Sequence, residues 1–207
     1  MGDHTDTPIK AEWPAADMGR LETISFVYAA AIAYGFTVLD FDSIETTNVL
    51  QWAQLLLYFC TFFVIGTDYA LVREVYEKQK TYSKGEFLLD ISIAFCFSRM
   101  LQSAAALYDK FGVTPNFRWW LWLGLIFALY TIWDLIELRK GSGLRWTFAA
   151  NVAMLIICFG YFLLPSINEF HSLTEITHKG FAPVVAGLAT LSLYGMCVWV
   201  WRWELYN

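Results

Sequence analysis

The sequence predicts an all-α fold, a polytopic integral membrane helical bundle of about six transmembrane helices with both termini in the cytoplasm. Two properties of the composition predict this fold class. Of the 207 residues, 57% are hydrophobic, 18% are aromatic and only 16% are charged, whereas soluble domains carry roughly 25% charged residues. The apolar residues also fill whole segments instead of one helical stripe, which is typical of helices that face lipid.

Six apolar segments are each about the twenty residues that a bilayer requires. In chain order they cover residues 21–39, 50–72, 87–107, 119–138, 144–164 and 181–203. Residues 1–20 are polar and are predicted to form a cytoplasmic N-terminal segment, so that residues 21–204 make up a single transmembrane domain. The longest connector, residues 165–180, is too short for a second domain.

The distribution of basic residues predicts the topology, because cytoplasmic loops carry an excess of Lys and Arg. With six spans, one side receives ten of them: Lys10, Arg20, Arg73, Lys78, Lys80, Lys84, Arg139, Lys140, Arg145 and Arg202. The other side receives three: Lys110, Arg118 and Lys179. This asymmetry favours six spans over five or seven and predicts a multi-pass protein of the cell (inner) membrane.

Several functional classes find no support in the sequence. The net charge of −5 argues against a nucleic-acid partner. All three histidines lie outside the apolar segments and the four cysteines form no C-x-x-C pair, so neither haem, a metal site nor any other cofactor is expected. No nucleophile elbow, zincin or P-loop motif occurs, and the chain is not expected to be an enzyme.

Arg99 is the ionisable residue placed deepest in an apolar segment, where a charge costs roughly 2.5–3.5 kcal/mol. Ser92, Cys96, Arg99 and Ser103 follow 4-3-4 spacing and therefore share one face of the third helix. This face is either one wall of an aqueous path or an interhelical hydrogen-bond seam in which Arg99 pairs with a neighbouring helix.

Four acidic residues fall in the cytoplasmic third of their predicted helices. They are Asp68, Asp90, Asp134 and Glu137. Local ion pairs with Arg73, Lys84, Arg139 and Lys140 are the first interpretation, and an inner charged ring, a vestibule or a docking site for a partner, is the second.

On the other side, the connector after the first helix carries Asp40, Asp42 and Glu45 without a base. Repeated in an oligomer, it would form an outer acidic mouth that attracts cations. The first helix has a band of small residues that either packs against another helix or lines a pore at a symmetry axis.

Residues 20–26, Arg-Leu-Glu-Thr-Ile-Ser-Phe, resemble a known family signature. It is the R-x-x-x-F-S-D motif in the first helix of the small prokaryotic relatives of the endolysosomal potassium channel, which are six-helix proteins. Arg20 and Ser25 match the motif, while Phe26 replaces its acid and Ile24 its aromatic residue. The resemblance implies a first helix that lines a tetrameric pore, with Ile32 and Phe36 nearest to its constriction.

Three functions are compatible with these observations. The leading hypothesis is a channel-like homo-oligomer that conducts cations, with Ser25, Ile32, Phe36, Ser92, Arg99 and Ser103 as candidates for the polar path. The second is a membrane-anchoring or effector subunit that docks a soluble signalling or defence partner on a charged cytoplasmic loop, residues 73–86. The third is a small-molecule transporter. In all three the lipid bilayer is the surrounding medium.

Overall fold

The computed structural model confirms an all-helical fold. It describes residues 14–39, 49–79, 82–106, 118–141, 144–163 and 182–206. These form α1 (Ala15–Val38), α2 (Val49–Gln79), α3 (Lys84–Ala106), α4 (Arg118–Arg139), α5 (Arg145–Leu163) and α6 (Ala182–Tyr206). All six helices are long and apolar enough to cross a membrane, which suggests a multi-pass membrane protein. Helices suit lipid because every backbone polar group then has a partner within its own segment.

The first two helices are longer than the sequence predicted. α1 begins at Ala15, so the last six residues of the predicted polar segment are helical. α2 runs seven residues past its predicted end to Gln79. Its 31 residues extend about 46 Å, which exceeds the roughly 30 Å hydrocarbon core of a bilayer.

The predicted loop over residues 73–86 is therefore wrong, because most of it is helical. Arg73 pairs with Glu77 one turn away, at 2.6 Å between Nε and Oε1. Tyr76 is buried and stacks on Tyr82, with ring centroids 3.9 Å apart. The helix continues past the apolar segment because its polar face carries an i,i+4 ion pair and its other face packs into the bundle.

Five of the helices form a ring. α2 packs against α3 and α6, α3 packs against α4, and α5 packs against both α4 and α6. Within the described residues, α1 packs against α2 and α3. The first helix thus lies on the outside of the ring, and helices α2 to α6 surround its interior.

The two ends of the bundle differ in composition. At one end, here called the basic end, five contacts join the helix ends: Asp17 to Tyr82, Glu74 to Arg202, Glu86 to Lys140, and Glu204 to both Trp146 and Thr147. The starts of α1, α3 and α5 therefore meet the ends of α2, α4 and α6. The chain crosses the bundle back and forth, and both of its described termini lie at the basic end. That this end faces the cytoplasm stays a prediction.

Candidate functional site

Asp68 lies inside the bundle, in the part of α2 that faces the ring interior, and three tyrosines donate hydrogen bonds to it. Tyr28 Oη on α1 donates to Asp68 Oδ2 at 2.5 Å. Tyr130 on α4 and Tyr194 on α6 both donate to Oδ1, the latter at 3.2 Å. Both carboxylate oxygens of a buried acid are thus satisfied by phenols from three different helices, which lowers the cost of placing the acid there.

Two more acids are buried at the same level of the bundle. Asp90 on α3 accepts a hydrogen bond from Tyr82 Oη at 2.6 Å. Asp134 on α4 accepts one from Asn151 Nδ2 on α5 at 2.8 Å. Burial, followed by the charge of Asp90, raises the pKa of Tyr82 at the basic end, so this phenol remains a hydrogen-bond donor at neutral pH.

Asp68, Asp90 and Asp134 line one cavity of about 90 Å³. All five ring helices contribute to its wall, and α1 contributes indirectly through the bond from Tyr28 to Asp68. Thr147, Asn151 and the thiol of Cys197 add polar groups, and the remaining residues of the wall, apart from the acids, are aliphatic or aromatic. We call this space the acidic cavity.

The formal charges of the side chains that line the acidic cavity are of one sign. Among the residues that the structure describes, its lining includes no Lys, Arg or His. Burying three carboxyl groups with no base beside them is costly unless each group has hydrogen-bond partners. Hydrogen bonds from neutral tyrosines and an asparagine offset part of this cost.

The prediction of ion pairs for Asp68, Asp90, Asp134 and Glu137 is therefore mostly wrong. Asp68, Asp90 and Asp134 bond to Tyr and Asn, because the nearby bases lie at the helix ends and the acids face the ring interior. Only Glu137 pairs as expected, with Lys140 Nζ 2.6 Å from its Oε1. Lys140 also contacts Glu86 at 3.0 Å. The hydrogen bond to Glu137 is the main cause that raises the pKa of Lys140, which stays charged at neutral pH.

The face of α3 that carries Arg99 contacts the neighbouring helix α4. Arg99 donates to Gln102 Oε1 at 2.6 Å, and its guanidinium lies 5.5 Å from the ring centroid of Trp122 on α4. Ser92 donates to the Leu88 carbonyl of its own helix, while Cys96 and Ser103 are buried. None of these residues lines the acidic cavity. The contact of Arg99 with another helix is thus aromatic, while its hydrogen bond to Gln102 stays within α3. Both the aqueous path and the interhelical hydrogen-bond seam stay predictions.

The first-helix candidates also lie away from the acidic cavity. Ser25 donates to the Leu21 carbonyl and accepts from Tyr69 at 3.0 Å, so its hydroxyl is used between α1 and α2. Ile32 is half-buried against the core, and Phe36 is 56% exposed. Arg20 forms an ion pair with Asp17. A pore between copies of α1 stays a prediction, and the outer acids Asp40, Asp42 and Glu45 lie outside the described residues.

Sequence reasoning missed the residues that hold the acids. They are Tyr28, Tyr82, Tyr130, Asn151 and Tyr194. One signal could have found most of them: a tyrosine in the middle of an apolar segment must find a partner for its hydroxyl, since lipid offers none. The sequence does not show which acid that partner is.

Comparisons of the chain with protein-family models, with curated proteins and with solved structures found no match. The acidic cavity is therefore the feature of this protein that points to a function.

Proposed function

We propose that this protein moves a small cation across the membrane and that the acidic cavity is the site that holds the cation on the way. The observation that supports the proposal is the convergence of three buried acids, from α2, α3 and α4, on one cavity with no base among its described lining residues. Ionisable groups inside a membrane bundle are costly and commonly mark ion or proton pathways.

The proposed path runs through each protomer. Because helices α2 to α6 surround the cavity within one chain, cation transport needs no pore at an axis between copies. This places the proposal nearer to a transporter than to the channel predicted from the first helix. Homo-oligomers remain compatible with it, since the outward face of α1 exposes Phe26 and Phe36.

Docking of a soluble partner is the weaker alternative. Two tyrosines of this segment, Tyr76 and Tyr82, are buried against each other and offer no surface. Exposed charges such as Arg73 and Glu77 remain at the end of α2, and they already pair with each other.

Flux measurements in proteoliposomes test the transport proposal. Purified protein is reconstituted, and gradients of Na⁺, K⁺, protons and methylammonium are imposed in turn. We expect a protein-dependent flux of at least one of these cations, and we expect Asp68→Asn to reduce it at least about tenfold because the site loses one charge, about 1.4 kcal/mol or more. The exposed Glu77→Gln is the matched control and should transport normally.

Two results would contradict the proposal. One is the absence of flux for all four cations from vesicles whose protein is shown to be folded and inserted. The other is unchanged flux in Asp68→Asn and Asp134→Asn alike, which would place the path elsewhere.

A further inference from the structure

Aromatic side chains make up much of the wall that faces the three acids. They come from α2, α4 and α6, and they are Tyr76, Phe127, Tyr130, Trp133, Tyr194 and Trp201. Phe127 packs edge-on against Tyr130 and Tyr194, with centroids 6.0 and 5.9 Å apart. Aromatic rings attract organic cations through their negative faces, and Trp does so most strongly.

The oxygens of the acidic cavity are poorly placed to strip water from a bare ion. Both oxygens of Asp68 accept tyrosine hydroxyls, and one oxygen each of Asp90 and Asp134 is also engaged. Within the described parts of the chain, no three His, Cys, Asp or Glu side chains come close enough to hold a metal ion. A hard cation such as Mg²⁺ or Ca²⁺ needs six or more oxygens at about 2.0–2.6 Å.

The size of the acidic cavity limits the ligand. Its volume of about 90 Å³ is several times the roughly 10–15 Å³ that one water molecule needs, so a ligand of a few non-hydrogen atoms fits. A proton alone would need neither this space nor the aromatic wall. A cation with a few carbon atoms around its charge would use both.

We infer that the ligand of the acidic cavity is a small organic ammonium ion, with methyl or methylene groups around a positively charged nitrogen. The carboxylates attract its charge through space, and the aromatic wall contacts its apolar groups. This inference rests on the proposed function in one respect, namely that the cavity holds a cation.

Binding of tetramethylammonium to the purified full-length protein tests the inference. This probe carries a permanent charge and donates no hydrogen bond, so it isolates the two attractions invoked here. Equilibrium dialysis measures its dissociation constant. The neutral tert-butanol, which is close to it in size and shape, serves as the comparison ligand.

A native cysteine reports where the probe binds. Cys197 on α6 lines the acidic cavity, whereas the half-buried Cys60 on α2 does not. We expect tetramethylammonium to slow the reaction of Cys197 with a small neutral thiosulfonate, as read by peptide mass spectrometry. Cys60 should react at an unchanged rate, and neither tert-butanol nor NaCl at the same concentration should protect Cys197.

Substitution of the wall supplies a matched pair of variants. Trp133→Leu removes a cavity aromatic and should weaken tetramethylammonium binding about five- to thirtyfold, which corresponds to about 1–2 kcal/mol. Trp122→Leu removes an aromatic of the same helix that contacts Arg99 away from the cavity, and its affinity should stay within twofold (about 0.4 kcal/mol) of the parent protein.

The outcomes separate this inference from the transport proposal. Absent tetramethylammonium binding, or equal protection of Cys197 by K⁺ or tert-butanol, would overturn the ligand class even if Na⁺, K⁺ or proton flux is observed. Binding with the predicted Trp133 dependence would support the ligand class even if no cation crosses the vesicle membrane, and in that case the transport proposal would fail alone.

Discussion

At the scale of single residues, the notable feature is a carboxylate that relies on neutral donors. Asp68 has three tyrosine hydroxyls around it and no ion pair within the described residues. Phenols stabilise a negative charge without cancelling it, which is the property that the proposed cation site requires. An Arg or Lys in their place would neutralise the cavity, as Lys140 does for Glu137 outside it.

Tyr28→Phe tests how strongly one donor supports Asp68. The variant keeps the ring contact with Tyr69 but leaves Asp68 Oδ2 without the hydroxyl. We expect the free energy of unfolding in detergent micelles to fall by about 1–3 kcal/mol, since a buried acceptor loses its partner. Tyr34→Phe, at a position that is exposed on the same helix, should change it by less than about 0.5 kcal/mol. Equal effects of the two variants would show that the bond to Asp68 contributes nothing measurable.

At the scale of the helices, the position of α1 depends on one close approach. Ile24, Tyr28, Ala31 and Gly35 follow 4-3-4 spacing and form the buried stripe of a helix that is otherwise largely exposed. At Gly35 the α1 backbone comes so near its neighbours that a Cβ would lie 2.5 Å from Phe62 Cζ and 2.8 Å from Leu101 Cδ1. Tyr58 on α2 donates a hydrogen bond to the Gly35 carbonyl. Small residues at helix interfaces allow such contacts in membranes.

Gly35→Ala should therefore destabilise the protein although alanine favours helices. We expect a loss of about 1–3 kcal/mol, because the added methyl overpacks the contact with Phe62 and Leu101. Gly160→Ala is the control, since its Cβ would meet nothing within 4 Å, and it should be neutral or stabilising by up to about 1 kcal/mol. Unfolding of both variants in mixed micelles gives the comparison. A neutral Gly35→Ala would mean that α1 can move away from α2 and α3 without loss.

At the scale of the whole molecule, polar interactions are divided between two places. The basic end carries the interhelical ion pairs and the contacts of Glu204 with the first turn of α5. The ring interior carries the acids of the cavity. Charged pairs thus lie at the helix ends, whereas the acids of the cavity lie among apolar and aromatic side chains.

The orientation of the molecule gives a test in intact cells. The excess of Lys and Arg at the basic end predicts that this end is cytoplasmic. A cysteine placed at Ser83, which is exposed at the basic end, should resist a membrane-impermeant thiol reagent until the cells are opened. A cysteine at Val49, exposed at the start of α2, should react in intact cells. The parent protein supplies the background from its four native cysteines, and the reverse pattern of labelling would invert the topology.

For the described parts of the chain, the sequence alone determined six helices that are long and apolar enough to cross a membrane. Hydropathy and length are local properties, so segments of about twenty apolar residues could be recognised one by one, and each became a helix in the structure. The same local reasoning failed at the end of α2. Residues 73–79 are mostly polar, so hydropathy predicts a loop there. They are helical because Tyr76 packs against Tyr82.

The candidate site was decided by the tertiary structure. The acids were visible in the sequence, but their partners were not, since Tyr28, Tyr130 and Tyr194 lie 40, 62 and 126 positions from Asp68. Which polar groups meet depends on the rotation of each helix about its axis and on the choice of neighbours. Both are set by packing among helices, and the sequence of a single apolar segment says little about either.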